Sequence, residues 1–369
     1  MRRRIGIFIL IVQSILFLVH LFLYETWKFF GDVADSPGNW ILPITFVILS
    51  VSFVSASLAG YRHSNPLVRL CYTISAVWLG FVNFGFLAAA ACWMFYGVLS
   101  IFGWHANRPL LARAFLALAL LATLLGIANA FWIRVREITV KLPNLPESWR
   151  GRVAAQVSDL HLGHVRNSGF IRRIIGMLAR LKPDAVFITG DLFDGVAADL
   201  ERLSKTWTEL AAPLGSYFIT GNHEEFSDRA RYLDALRRCG VRILDNEKIL
   251  VDGLQIVGVH DRDAAAGERF RSLLNRAALD RGQPSILLVH EPRHLRLTEE
   301  AGISLQLSGH THRGQFLPFT LIVSAIYKQY AYGLQTFGKL IVYTTSGTGT
   351  WGPPLRLGTS PEIVLIHFE

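Results

Sequence analysis

The chain has 369 residues, of which 51% are hydrophobic, and a mean hydropathy of +0.34; that is too apolar for an ordinary soluble protein. Its formal charge of +9 divides unevenly, with 8 Lys and Arg against 3 Asp and Glu before residue 134 and 29 against 25 after it. The second part has no basic run, so nucleic-acid binding is not expected, and its single cysteine, Cys239, excludes both a disulfide framework and a thiolate zinc site there.

The apolar excess lies before residue 134. Met1-Arg2-Arg3-Arg4 precedes an apolar run over residues 5–24, and further runs follow at 40–60, 70–102 and 110–133. Each is long enough to cross a bilayer. The first run is longer than the apolar stretch of a signal peptide and lacks a small-x-small cleavage site, so it reads as a retained span. Residues 1–133 are therefore expected to form an all-α transmembrane region of about four helices. The run at 70–102 exceeds one crossing and is expected to tilt or to end in an interfacial turn.

Trp40, Trp93, Trp104 and Trp132 lie near the run ends, as an aromatic belt requires. Arg2, Arg3, Arg4, Arg62 and Arg69 flank one side of the spans, while the loop at 31–39 carries Asp32 and Asp35 and no cation. With an even number of crossings, the positive-inside rule puts the second half in the cytoplasm. The expected localisation is a multi-pass protein of the inner (cytoplasmic) membrane. His20, His63 and His105 have no partner pattern and read as structural. Residues 134–150, with Pro143 and Pro146, read as a linker.

From residue 151 to 369 short β-branched runs alternate with helical patterns, the sign of a layered α/β domain. Strands are expected at 153–158, 184–189, 216–220, 254–259, 285–289 and 304–308, with two more at 340–344 and 362–368. Helices are expected at 168–181 and 228–238. Five signatures follow these strands: Ser158-Asp159-Leu160-His161, Gly190-Asp191, Gly221-Asn222-His223-Glu224, Val289-His290-Glu291 and Gly309-His310-Thr311-His312. Strand ends of α/β sheets are where ligands bind, so residues distant in sequence can meet at one edge.

Asp159, His161, Asp191, Asn222, His290, His310 and His312 offer carboxylate, amide oxygen and imidazole but no thiolate. Such donors suit Mn²⁺, Fe or Zn²⁺. Seven are too many for one ion, whereas two divalent ions joined by a bridging carboxylate would use them all. Two-metal sites clamp both oxygens of an in-line displacement and activate water, which is phosphoester hydrolysis without a protein nucleophile.

The ordered set resembles the calcineurin-like metallophosphoesterase family over residues 150–369. The resemblance implies a four-layer metallophosphoesterase fold, a β-sandwich flanked by helices. It further implies one metal on Asp159, His161, Asp191 and His312, and a second on Asp191, Asn222, His290 and His310, with Asp191 shared. His223 and Asn222 would be the catalytic residues; His223 would leave the metals alone and either stabilise the transition state or protonate the leaving oxygen. Ser346-Gly347-Thr348-Gly349, Pro354-x-Arg356 and Pro361-Glu362-Ile363 resemble the membrane-associated, YkuE-like branch. That narrower likeness implies a lipid-linked phosphodiester or diphosphate substrate, with UDP-2,3-diacylglucosamine of lipid A synthesis as one candidate. The alternatives are a tethered phosphodiesterase for a soluble substrate, and a metal-binding membrane scaffold or sensor without turnover. A transporter has little support, since no run holds a charge pair.

Among the remaining residues, Asp194 reads as a turn residue or an orienter of a metal-bound imidazole. His164, His260 and Asp261 are open between pocket and loop, while Arg293 and His294 are expected on the surface. Arg313 and Arg356 suit either a phosphate contact or a salt bridge. Residues 316–332 are unusually apolar and read either as a buried helix or strand edge, or as a lip that faces lipid.

Overall fold

A computed structural model describes residues 2–31, 40–195, 199–226 and 228–369. The loop carrying Asp32 and Asp35 and the side chains of Arg2, Arg3 and Arg4 lie outside what is described. The chain divides into two compact units, Met1–Ala128 with Gly352–Leu355, and Asn129–Trp351 with Arg356–Glu369.

The first unit is built from four long helices, α1 (Arg2–Phe30), α2 (Ile41–Arg62), α3 (Pro66–Ile101) and α4 (Arg108–Phe131). Four candidate spans coincide with them, with mean hydropathies of 2.5, 2.2, 1.8 and 2.3. With 36 residues rising about 1.5 Å each, α3 is about 54 Å long, well beyond a hydrocarbon core of about 30 Å. It is one continuous helix that ends in a turn at Phe102 and Gly103. Inside hydrocarbon every polar group needs a protein partner, and two side-chain pairs between these helices supply one. Trp78 donates to His20 Nε2 at 2.9 Å, and Trp93 donates to Thr26 Oγ1 at 2.9 Å. The structural reading of His20 thus stands.

The second unit holds twelve strands in two six-stranded sheets. The first sheet has the order β1 (Arg134–Val140), β12 (Glu362–Phe368), β2 (Val153–Val157), β3 (Ala185–Thr189), β4 (Ser216–Ile219) and β5 (Arg242–Ile243). The second runs β10 (Gly333–Phe337), β11 (Leu340–Thr344), β9 (Leu305–Ser308), β8 (Ser285–Val289), β7 (Leu254–Val259) and β6 (Glu247–Val251). Strands β2 to β5 run parallel, as do β7, β8, β9 and β11.

Phe187, Ile219, Ile256, Leu288, Leu307 and Ile366, all buried, form the core between the two sheets. The outer face of the first sheet is covered by α5 (Ser168–Leu181), α6 (Leu200–Ser204) and α7 (Arg229–Arg237). The second sheet is covered by α8 (Asp261–Ala264), α9 (Gly267–Arg276) and α10 (Leu295–Glu300). Helix, sheet, sheet, helix are the four layers expected.

Two elements differ from the sequence reading. The expected linker at 134–150 begins with β1, an edge strand whose exposed Glu137 and Thr139 alternate with buried Ile138 and Val140, paired in parallel with β12. The apolar stretch after β9 forms α11 (Phe319–Tyr327), none of whose residues is buried, so the buried-helix reading of residues 316–332 fails.

Candidate metal centre

The parallel strands of both sheets end at one rim. Asp159 and His161 follow β2, Asp191 follows β3, Asn222 and His223 follow β4, His290 follows β8, and His310 and His312 follow β9. Backbone bonds join these loops to one another. His161 donates its N–H to Asp191 O (3.0 Å), Gly309 to His290 O (2.8 Å) and Gly349 to Asp159 O (2.9 Å). Asp159, His161, Asp191, His310 and His312 all lie in the left-handed region, with φ between 46° and 69°. Each such residue costs on the order of 1–3 kcal/mol, and strain of this kind gathers at functional sites. Gly190, at φ +91°, leaves room that a Cβ would take within 2.6 Å of His290 Nδ1. At Gly221 a Cβ would collide with Asp191, and at Gly309 with Ser158 and Asp159.

The rim gathers the seven sequence-named donors into two groups. In one, His161 Nε2 lies 3.0 Å from His312 Nε2, which is 3.4 Å from Asp159 Oδ1. In the other, His290 Nε2 lies 3.3 Å from His310 Nδ1, which is 3.0 Å from Asn222 Oδ1. Asp191 faces both groups with a single oxygen. Its Oδ2 is 3.8 Å from His161 Nε2 and 3.2 Å from His290 Nε2, while its Oδ1 accepts from the His223 N–H at 2.9 Å.

The opposite nitrogens of these rings are held in place. His161 donates from Nδ1 to Asp194 Oδ1 (3.2 Å) and His290 from Nδ1 to Thr189 O (2.7 Å), leaving both Nε2 atoms as lone-pair donors. His310 Nε2 is 3.7 Å from the Glu291 carboxylate. At His312 the pattern inverts, for Arg356 Nη2 donates to its Nδ1 at 3.1 Å. His223 belongs to neither donor group: its Nδ1 lies 3.3 Å from Asp194 O and 3.4 Å from Asp194 Oδ1.

The electrostatics suit cations. Asp159 and Asp191 are buried, and among the described residues their ion-pair partners are imidazoles of the cluster. Burial opposes charge on His161 and His290, yet the surrounding carboxylates outweigh it and raise both, His290 well above the ordinary value. The same field attracts a metal ion. Burial and then His290 lower His310 to about 3; burial and then His161 and Arg356 hold His312 well below the ordinary range. Both rings are thus uncharged, and in His312, whose Nδ1 accepts from Arg356, the proton sits on Nε2 and must leave before that atom can bind a metal. Burial lowers His223 as well, against the pull of Asp191. Oxygen and imidazole donors around buried carboxylates fit hard to borderline divalent ions.

Residues 153–314 match the calcineurin-like phosphoesterase family. A transmembrane protein with a metallophosphoesterase domain from Danio rerio is 31% identical over 323 residues, covering 78% of this chain and 73% of its own length. The chain belongs to the calcineurin-like metallophosphoesterases. The metallophosphoesterase YkuE of Bacillus subtilis is 32% identical over 247 residues, 64% of this chain and 86% of that one. An uncharacterized metallophosphoesterase of Helicobacter pylori is 28% identical over 335 residues, 87% and 88% of the two chains. Membership implies a hydrolase with a two-metal centre. The four apolar helices, with the relative named for its transmembrane character, mark this metallophosphoesterase as a membrane protein.

Several sequence readings change in the folded metallophosphoesterase. Arg356 is fully buried and donates to Gly349 O, His312 O and His312 Nδ1, with no salt bridge among the described residues. Arg313 stacks on Tyr332, 4.5 Å from the ring centre. Arg293 and His294 are half-buried, and Arg293 pairs with Glu291. His260 is fully buried and accepts the Thr220 N–H at 3.0 Å, a loop role, while one oxygen of Asp261 is buried without a hydrogen-bond partner.

Three contributors escaped the sequence reading. The first is Glu224, which accepts from the N–H groups of Asp191, Phe193 and Gly221. Burial and then Asp191 push its carboxyl up to about 7. The second is Glu291, whose position directly after His290 was the available signal. The third is Trp351, 57% exposed with its ring 6.2 Å from that of His223, which had no signal at all.

Proposed function

We propose that this chain is a membrane-anchored two-metal phosphoesterase, facing the cytoplasm, that hydrolyses a lipid-linked phosphodiester or diphosphate. The observation that carries the two-metal assignment is Asp191 Oδ2, set between the two donor groups. Asp159, His161, Asp191 and His312 would hold one ion, and Asp191, Asn222, His290 and His310 the other, with Mn²⁺ the first choice. Two divalent cations, when bound, supply Lewis-acid charge to phosphoryl oxygens and make water acidic enough to ionise near neutrality.

The protein's own groups do the rest. Asp194 orients His161 and fixes Nδ1 of His223, which leaves His223 Nε2 to carry a proton for the departing oxygen. Burial makes that imidazolium more acidic and so a readier donor. Trp351 adds an exposed aromatic face beside the leaving group. A lipid-linked substrate is supported by the membrane helices together with the exposed apolar α11. UDP-2,3-diacylglucosamine is the specific candidate; a polar soluble ester is the competing reading.

The test is Mn²⁺-dependent hydrolysis by the full chain in detergent, comparing a chromogenic phosphodiester with UDP-2,3-diacylglucosamine. The expectation is preference for the lipid substrate. His223→Ala should lower kcat by about 10²–10⁴-fold with two metals still bound, whereas Asn222→Ala should also lose metal. Equal turnover of the small ester would reduce the helices to a tether, and no metal-dependent turnover of either would leave a scaffold.

A further inference from the structure

Soluble helices bury their apolar stripe, and two helices of this domain do so. Helix α5 buries Ile171, Ile174, Ile175 and Leu178, and α9 buries Phe270, Leu273 and Leu274. Helix α11 does the reverse. Its nine residues, Phe-Thr-Leu-Ile-Val-Ser-Ala-Ile-Tyr, include no charge and none is buried. Phe319, Leu321, Ile322 and Ile326 are 45%, 66%, 48% and 64% exposed. Water offers such a face nothing, so something apolar covers it.

We propose that α11 is an interfacial lip whose side chains enter the acyl region of the bilayer beside the metal cluster. Three observations select lipid over a protein partner. The domain is covalently continuous with four candidate spans, so a bilayer is always at hand. A nine-residue helix about 13 Å long also offers far less than the roughly 800 Å² per partner of a stable protein interface.

The third observation is the frame around the helix. Lys328 follows it directly, and no acidic residue occurs between Phe316 and Tyr332. Arg313 and Arg136 both lie on the Tyr332 ring, 4.5 and 5.4 Å from its centre. Cations and tyrosines around an apolar patch are the composition of a membrane interface carrying anionic headgroups.

The lip adjoins the metal-binding loops at both ends. The Gln315 N–H donates to His312 O (3.0 Å) ahead of the helix. At its far end Tyr327 donates to Glu291 at 2.8 Å, its ring 6.3 Å from that of His310. Beyond it Thr311 Oγ1 donates to Ala331 O at 2.7 Å. A molecule rooted in the bilayer would therefore meet the metals at the water boundary. The proposal rests on the membrane character of the chain and is independent of any catalytic reading.

The experiment uses the full chain with Cys71, Cys92 and Cys239 replaced by Ser and one new thiol introduced by Ile322→Cys, Leu321→Cys or, as control, Glu268→Cys on α9. Each is labelled with an environment-sensitive fluorophore and reconstituted into phosphatidylcholine–phosphatidylglycerol vesicles carrying nitroxide on either the acyl chain or the headgroup. The two α11 labels should shift to the blue and be quenched at least twofold more by acyl-chain nitroxide, with the α9 label unaffected. Quenching of the α11 labels by headgroup nitroxide alone, or by neither, overturns the proposal whatever the enzyme's activity. Two positions on α11 guard against one substitution failing to fold.

Discussion

Arg356 spends all three of its guanidinium nitrogens on the loops that carry the cluster. A guanidinium only donates, so the nitrogen it meets on His312 must accept; this fixes the ring with its Nε2–H toward His161 and Asp159, and a metal would have to displace that proton. Lysine offers a point charge in place of a planar fork and cannot reach His312 and Gly349 together. Arg356→Lys should therefore weaken metal binding by about 10–100-fold, the usual cost of losing a ligand's outer partner. Competition with a chromophoric chelator measures this, and unchanged affinity would make Arg356 a packing residue. Asp194 works in the same manner from the other side, with one carboxylate addressing His161 and His223 at once.

The segments beyond the strand ends carry the donors of the site, His312 opening a short 3-10 helix, and such segments need their backbone satisfied from somewhere. Glu224 does this for two of them, binding N–H groups after β3 and after β4 with both carboxylate oxygens. In Glu224→Gln one acceptor oxygen becomes an amide NH2 that meets backbone N–H groups head-on. The variant should lose about 1–3 kcal/mol, the cost of buried donors left unsatisfied, read as a lower Tm in detergent. An unaltered Tm would mean that the loops hold themselves. Strand β1 and helix α11 make the complementary point. One was expected to be linker and the other was open to burial, yet the first is paired over seven residues and the second has no buried residue.

Within the catalytic unit the donors come from both sheets. Asp159, His161, Asp191 and Asn222 lie beyond strands of the first, and His290, His310 and His312 beyond strands of the second. Bound metal would clamp the rims of the sandwich together, and because it binds the folded chain it must stabilise it. Adding Mn²⁺ to chelator-stripped protein should raise Tm, by about 2.7 kcal/mol of stability at a metal concentration 100 times Kd. Asp191→Asn should bind fewer than two ions and lose most of that rise, as measured by metal analysis alongside thermal unfolding. A full response in the variant would remove Asp191 from its bridging place.

The number of apolar helices and eight of the strands could be read from the chain because each has a local signature; the four layers followed from the likeness to a known family, and the seven proposed donors were named from the residues after the strands. Twenty apolar residues have only one way to satisfy their backbone in lipid, and alternating β-branched runs ending in Asp, Asn or His declare both strand and ligand. What stayed hidden depends on neighbours far away in sequence. Edge strand β1 needs β12, more than 200 residues on, before it is a strand at all. Arg356 presents the same letters whether it meets a phosphate, a carboxylate or an imidazole. Left-handed backbone at Asp159, His161 and Asp191 has no sequence mark outside glycine, because the surrounding loops impose it. Exposure of α11 is likewise invisible in its composition. Apolar residues report a preference for leaving water, and whether they leave it for a protein core or for another phase is settled by what the rest of the chain packs against them.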